Sequence, residues 1–390
     1  MPRLALRPSN AMADLLRRRR VQLGLTLREV QEQTAATGKA IPFTTLAKVE
    51  QGRVDPGVMR LHQLLRLYNV PVQMAAELLD LEQWSDEHVR QLEPDVLQAE
   101  GLTHWKKGDL KRALAYLYSV RESASEDAKD RQERQKTLLS FAVAAGALGK
   151  YHLSRQIADD LLVEPPHSTL LVPVLLQLGV CWLRLGSQEA ALAFLERAER
   201  HVRPKDLQHR AWILHQKAAT LAAADEVDAA EEELTKAIQA YRKAGDAQGE
   251  NRALGVRIKL QRKRGRHAEA LKGAAAARNH AETHGFERLT VLRRLDEGRA
   301  HVDLGDPTTG IPMLREALAS AISQKDQMAE FRAHHSLWKA YQAAGDKERA
   351  ELELKAALYF VRFVDESTEE VAEIRAVQSA PTGRRARRSA

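Results

Sequence analysis

Apolar residues recur along most of this chain at intervals of three and four, the spacing of one face of an α-helix. No stretch alternates apolar and polar side chains for long enough to build a half-buried strand, so the pattern predicts an all-α fold. It divides the 390 residues into four regions: a loose start to about Asn10, a compact module over residues 11–80, a long array over residues 83–373, and a Gly- and Arg-containing tail at 381–390. The tail has nothing to bury and is expected to be disordered.

The array repeats itself. Turn signals fall at Lys107-Gly108-Asp109, Gly149-Lys150, Leu185-Gly186-Ser187, Ala224-Asp225-Glu226, Arg264-Gly265-Arg266, Leu304-Gly305-Asp306 and Ala344-Gly345-Asp346, spaced 37 to 41 residues apart. That period holds two helices and two short turns. Five residues after most turns stands a small residue: Ala113, Ser154, Ala191, Ala230, Ala270, Gly310 and Ala350. Seven further on come Ala198, Ala237, Ala277, Ala317 and Ala357. Small side chains at such positions let two antiparallel helices approach closely, where larger ones would clash.

Seven residues before the turn another small residue recurs, as Gly101, Ala142, Gly179, Ala218 and Gly298, with Ile258 and Lys339 departing from the pattern. Bulky Leu117, Leu195, Leu234, Leu314 and Leu354 complete the set, which resembles tetratricopeptide repeats over nearly the whole array. The resemblance implies a right-handed α-solenoid of about seven helical hairpins. It also implies a concave surface, lined by the first helix of each hairpin, that takes a peptide or protein.

In the compact module, Arg20-Val21-Gln22-Leu23-Gly24-Leu25-Thr26 ends one helix on a Gly and starts the next on a Thr cap. A second helix is expected from Leu27 to about Thr34 and a third around Phe43 to Gln51, with Leu46 and Val49 inward. A fourth is expected from Val58 to Tyr68, and a short fifth ends near Leu79. The segments at 20–26 and 48–53, with Leu64, Leu67, Val70 and Pro71, resemble the DNA-binding domain of phage repressors and of the xenobiotic-response-element family of helix-turn-helix regulators. Thr34 to Ala40 makes the turn between helices two and three about five residues longer than in the shortest members of that family.

The resemblance implies a structural ion pair between Arg20 and Glu50. It places Phe43, Thr44, Thr45 and Lys48 toward base edges in the major groove of double-stranded DNA, and Thr26, Arg28, Gln51 and Arg53 near phosphates. For Phe43 the competing expectation is a place in the core, and for the Arg17–Arg20 run it is a solvated face.

Charge agrees with that reading once it is located. The net charge is +7, yet residues 1–80 carry 12 basic against 7 acidic residues, and the last ten add four arginines and no acid. The long middle is close to neutral. A basic module on a neutral body suits phosphate-backbone binding. Within the array, Asn251, Arg252, Lys259 and Arg262 of the fifth repeat, with Arg299 of the sixth, form the candidate partner groove, suited to a carboxylate-bearing ligand; the competing expectation is a solvated face.

A single cysteine, Cys181, excludes an intrachain disulfide and a thiolate metal cluster. No long apolar run suggests a membrane span, and a cytoplasmic protein is expected. The His280 and His284 pair has zinc-like spacing but no evident third ligand, and no phosphate loop, nucleophile elbow or dinucleotide fingerprint is present. No metal, cofactor or enzyme activity is expected.

The sequence therefore points to a sequence-specific transcriptional regulator, a homodimer whose array senses a peptide or protein; the alternative is an adaptor that sequesters a partner without operator binding. The joined modules also look like the peptide-pheromone receptors of Gram-positive bacteria. Those receptors grip peptide backbone with several groove asparagines. Here only Asn251 and Asn279 follow Asn69, so the resemblance implies ligand control in general more than that ligand.

Overall fold

The computed structural model describes residues 10–84, 89, 92–106, 109–123, 128–163, 166–361, 364 and 368–379, and among these every regular element is a helix. The expected disordered tail at 381–390 lies outside the described residues. The N-terminal helices are α1 (Asn10–Gln22), α2 (Leu27–Thr37), α3 (Phe43–Glu50), α4 (Val58–Leu67) and α5 (Val72–Trp84). Helical pairs follow: α6 (Pro94–Lys106) with α7 (Leu110–Ser123), α8 (Ala128–Ala147) with α9 (Tyr151–Val163), and α10 (Leu171–Arg184) with α11 (Gln188–His201). Next come α12 (Leu207–Ala223) with α13 (Val227–Ala244), α14 (Ala247–Lys263) with α15 (His267–Thr283), and α16 (Glu287–Asp303) with α17 (Pro307–Ser323). The series closes with α18 (Gln327–Ala343), α19 (Lys347–Phe360) and α20 (Glu369–Ser379).

Two adjacent residues make many of the turns. Gly245, Gly305 and Gly345 adopt left-handed φ angles of 71°, 80° and 77°, which end a helix without a Cβ penalty. The next residue in each case, Asp246, Asp306 or Asp346, caps the following helix by accepting from the backbone N–H of Gly249, Thr309 or Arg349.

The small residues sit where the helices meet. Ala113, Ser154, Ala191, Ala230 and Ala270 are wholly buried. Between α16 and α17 the backbones approach closely: a Cβ on Gly310 would stand 2.7 Å from the Gly298 carbonyl oxygen. Gly310→Leu is therefore expected to wedge the pair apart at a cost of about 1–3 kcal/mol or more. Gly273, inside α15, has its nearest neighbour to a Cβ at an ordinary 3.4 Å. Gly273→Ala should instead stabilise by up to about 1 kcal/mol through helix propensity. Thermal unfolding of the two variants should thus move in opposite directions, and a common direction would show that space at the interface does not set the sign.

The chain forms two compact units, residues 1–181 and 182–390. In the first, α1–α5 do not stand apart from the array. Leu16, Val30, Leu46, Leu65, Leu78 and Leu81 share one core with Leu114, Leu117, Phe141, Leu153 and Ile157 of α7–α9. α5 consequently runs to Trp84 instead of stopping near Leu79, because Leu81, wholly buried, extends its apolar face into this core. Lys150 Nζ lies 2.7 Å from Asp80 and 4.8 Å from the centre of the Trp84 ring.

Glu77 is 8% exposed, and its Oε2 accepts from the backbone N–H of Leu153 at 2.7 Å, in the first turn of α9. Burial pushes its carboxyl up to about 7, against the opposing effects of that hydrogen bond and of Lys150. A folded-state pKa above the ordinary value gives a contribution that is full below about 4.5 and lost as pH rises through 7. Glu77→Gln keeps the acceptor and removes the titration. Its stability relative to the native chain should therefore rise by up to about 3 kcal/mol between those pH values. Parallel stability profiles in urea unfolding across that range would refute the assignment.

Candidate nucleic-acid interface and partner groove

The frame of the N-terminal helices is an ion pair. Arg20 Nε and Nη2 donate to the two carboxylate oxygens of Glu50 at 2.7 and 2.8 Å, and Nη1 donates to the Leu25 carbonyl at 2.8 Å. This bidentate geometry ties the end of α1 to the end of α3, and the hydrogen bond to Glu50 raises the Arg20 pKa. Glu50 is only 9% exposed.

Thr26 caps α2. Its Oγ1 accepts from Glu29 N–H at 3.2 Å, while the Glu29 carboxylate accepts from Thr26 N–H at 2.7 Å. The extra residues after Thr34 do not form a long open turn. α2 continues through Ala35 and Ala36, good helix formers, to Thr37, which shortens the connection to α3. Three polar contacts then fix α3. Thr34 Oγ1 accepts from Ile41 N–H, Gln63 donates to the Thr34 carbonyl, and Gln31 Oε1 accepts from Phe43 N–H at 2.7 Å. Gln31 thus serves the unpaired N-terminus of α3, where Pro42 offers no side-chain cap. Sequence reasoning missed it because its partner is twelve residues away in another helix.

On α3, Leu46, Val49 and Glu50 face inward, whereas Thr44 and Lys48 are exposed and Thr45 is half-buried. With about 100° per residue these three share one side of the helix with Gln51 beyond its end. Phe43 is 46% exposed, so it does not belong to the core. Arg28 near the start of α2, and Gln51 and Arg53 just past the end of α3, are exposed. The Arg17–Arg20 run is not uniformly solvated: Arg17 and Arg18 are exposed, Arg19 bonds Gln156 of α9, and Arg20 is in the ion pair.

A family of helix-turn-helix domains matches residues 11–78. The chain carries an N-terminal helix-turn-helix domain. No curated protein matches it in sequence. Among solved structures it is similar to the apo form of RapI, with TM-score 0.57 and 13% identity, covering 70% of this chain and 100% of that one. It is similar to aspartyl phosphate phosphatase F from Bacillus subtilis, with TM-score 0.57 and 12% identity, covering 92% and 96%. A Rap protein complexed with competence and sporulation factor gives TM-score 0.56 and 14% identity, covering 73% and 80%. At these identities the likeness is one of fold. The chain is all-α, a helix-turn-helix domain followed by a tetratricopeptide-like array of helices.

The second unit contains a cavity of about 470 Å³ lined by first helices α14, α16 and α18, by His267 of α15 and by Glu369, Glu370 and Glu373 of α20. Arg252, Lys259, Arg262 and Arg299 all line it. Asn251 does not. It is wholly buried, one residue and so about 100° around α14 from Arg252, and its amide donates to the Ala277 carbonyl of α15 at 2.7 Å. It pins the hairpin and is not a groove residue.

Arg252 and Lys259 of the cavity are exposed, while several of its cations are paired. Arg262 Nε meets Asp303 at 2.6 Å, and Arg299 Nε donates to Ser336 Oγ at 2.6 Å. Lys259 Nζ reaches Glu369 of α20 at 2.8 Å. Glu370 lies 3.8 Å from Arg299 and 3.9 Å from Arg332, and Lys339 Nζ lies 2.7 Å from Glu373. Burial opposes ionisation of Glu370, but Arg299, Arg332 and Lys259 together outweigh it and hold its carboxyl at about 2. The sequence did carry a sign of Lys339: residues 259, 299 and 339 are cations at the array's own period of 40.

Two other sequence signals find ordinary structural uses. His280 Nδ1 lies 3.3 Å from the Asn251 amide, and its ring centre lies 4.4 Å from that of His284 with the planes tilted by 34°. Cys181 is buried beside Ser154 and Gln177, and burial pushes its thiol up to about 11, so it stays protonated near neutral pH. Among the described residues no helix is long and apolar enough to cross a membrane.

Proposed function

We propose that the chain is a sequence-specific DNA-binding transcriptional regulator of the cytoplasm, acting as a homodimer whose helical array senses a peptide or protein. The observation that carries this reading is α3. Inside a helix-turn-helix domain, it exposes Thr44 and Lys48, with Gln51 just past its end, on one side while Arg20–Glu50 fixes its other side. Thr hydroxyls and a Lys ammonium supply donors and acceptors for base edges, and Phe43 supplies an apolar contact for a thymine methyl. Arg28, Gln51 and Arg53 supply phosphate contacts, with Thr26 contributing through the start of α2.

The test is selection of DNA fragments from the chain's source genome by the full-length protein at two salt concentrations. A shared, roughly palindromic sequence among the recovered fragments is expected of a dimeric helix-turn-helix protein. Recovery without any shared sequence, together with steep salt dependence, would leave only backbone binding.

The array's part rests on the basic cavity. Arg252→Glu with Lys259→Glu is expected to abolish capture of the partner co-purifying with the full-length protein, without loss of DNA binding. Undiminished capture would remove these residues from the groove.

A further inference from the structure

The groove described above already holds something: the chain's own C-terminal helix. α20 is not merely the cap that a helical array needs at its last repeat. Its apolar side does that work, with Val371 and Ile374 wholly buried against the α18–α19 core. Its acidic side goes further, because Glu369, Glu370 and Glu373 meet cations on three successive first helices, Lys259 of α14, Arg299 of α16 and Lys339 of α18. A simple cap would touch only the final hairpin. The cations form a ladder at the repeat period, and the carboxylates of one helix face complete it.

The cavity holds a further cation beside the ladder. Arg293, 6% exposed, lines the same cavity; Nη1 lies 3.0 Å from Asp296, while Nε has no hydrogen-bond partner among the described residues. Its guanidinium rests over Gly255, where a Cβ would collide with it. A buried guanidinium with donors to spare adds to the positive charge beside the acidic side of α20.

We propose that α20 is an internal occupant of this groove, holding the place of an acidic peptide segment that must displace residues 369–373 in order to bind. The inference rests on the reading of the array as a partner-binding surface and adds its regulation. The array is self-occupied, and a ligand gains entry by competition for Lys259, Arg299 and Lys339.

The experiment uses a fluorescently labelled synthetic peptide copying residues 368–379, titrated against the full-length chain and against a Glu369→Gln/Glu370→Gln/Glu373→Gln variant. A second variant, ended after Val364, covers the case in which the glutamine helix stays docked through Val371 and Ile374. The peptide is expected to bind at least one of the variants about tenfold or more tighter than the native chain, the scale of one strong charge-assisted contact. Adding Lys259→Glu and Lys339→Glu, both exposed positions, should remove that gain. Equal affinity for all three proteins, still abolished by the lysine reversals, overturns internal occupancy while leaving the groove as an acidic-ligand site. No binding by any of them overturns occupancy and the acidic ligand together.

Discussion

Arg20→Ala is expected to cost about 3–5 kcal/mol of the stability of the helix-turn-helix domain, the range for removing one partner of a buried pair. The cost follows from what remains. Glu50, 9% exposed, keeps a carboxylate stripped of both guanidinium donors, and the Leu25 carbonyl is left without a third. An apolar replacement of both partners, Arg20→Met with Glu50→Leu, should lose much less, because no charge is left stranded. Hydrogen exchange of α1 to α3 amides in the full-length chain measures this locally. Equal losses for the single and the double replacement would mean that the pair contributes by shape and not by charge. The domain's role also predicts a functional echo: loosening of α3 should lower DNA affinity in proportion to the unfolded fraction.

The second large effect concerns recognition. Thr44→Ala and Lys48→Ala are each expected to weaken binding to the selected site by about 1–3 kcal/mol per base edge that the side chain no longer reaches, and to relax preference at the base pairs concerned. Arg28→Ala and Arg53→Ala should behave differently. They are expected to weaken all sequences alike and to reduce the slope of log affinity against log salt by about one each. The two classes of residue are separable because Thr44 and Lys48 project from α3, whereas Arg28 and Arg53 flank it at the start of α2 and after Gly52. If all four substitutions gave the same sequence-independent loss, α3 would not be the reading helix.

Much of the fold is legible in the amino-acid sequence. The turns are visible because a left-handed glycine followed by a capping aspartate recurs at Gly245-Asp246, Gly305-Asp306 and Gly345-Asp346, and each residue has a local mechanism. Gly298 and Gly310 are visible as small residues, since the close approach between α16 and α17 tolerates nothing larger. The extent of α2 is not, because an insertion containing two alanines reads equally well as a loop or as another turn of helix. Asn251 reads as a groove residue from its neighbours in sequence, yet a step of one residue on a helix moves a side chain about 100°.

Contacts between distant segments are the least legible. Nothing local in Glu369, Glu370 and Glu373 names Lys259 or Arg299 as their partners, and Gln31 gives no sign of reaching Phe43. The ladder at 259, 299 and 339 nonetheless shows when charge is read at the repeat period instead of residue by residue. Glu77 belongs with these cases. Its role appears only when α5 is laid against the start of α9.

The most direct test of DNA recognition is the affinity of the full-length chain for the selected fragment, compared in gel shifts with a shuffled duplex of the same length and composition at two salt concentrations. Sequence-specific binding through α3 predicts a preference of about a thousandfold or more for the selected fragment, retained at the higher salt. Equal affinity for the two duplexes, falling together as salt rises, would contradict it.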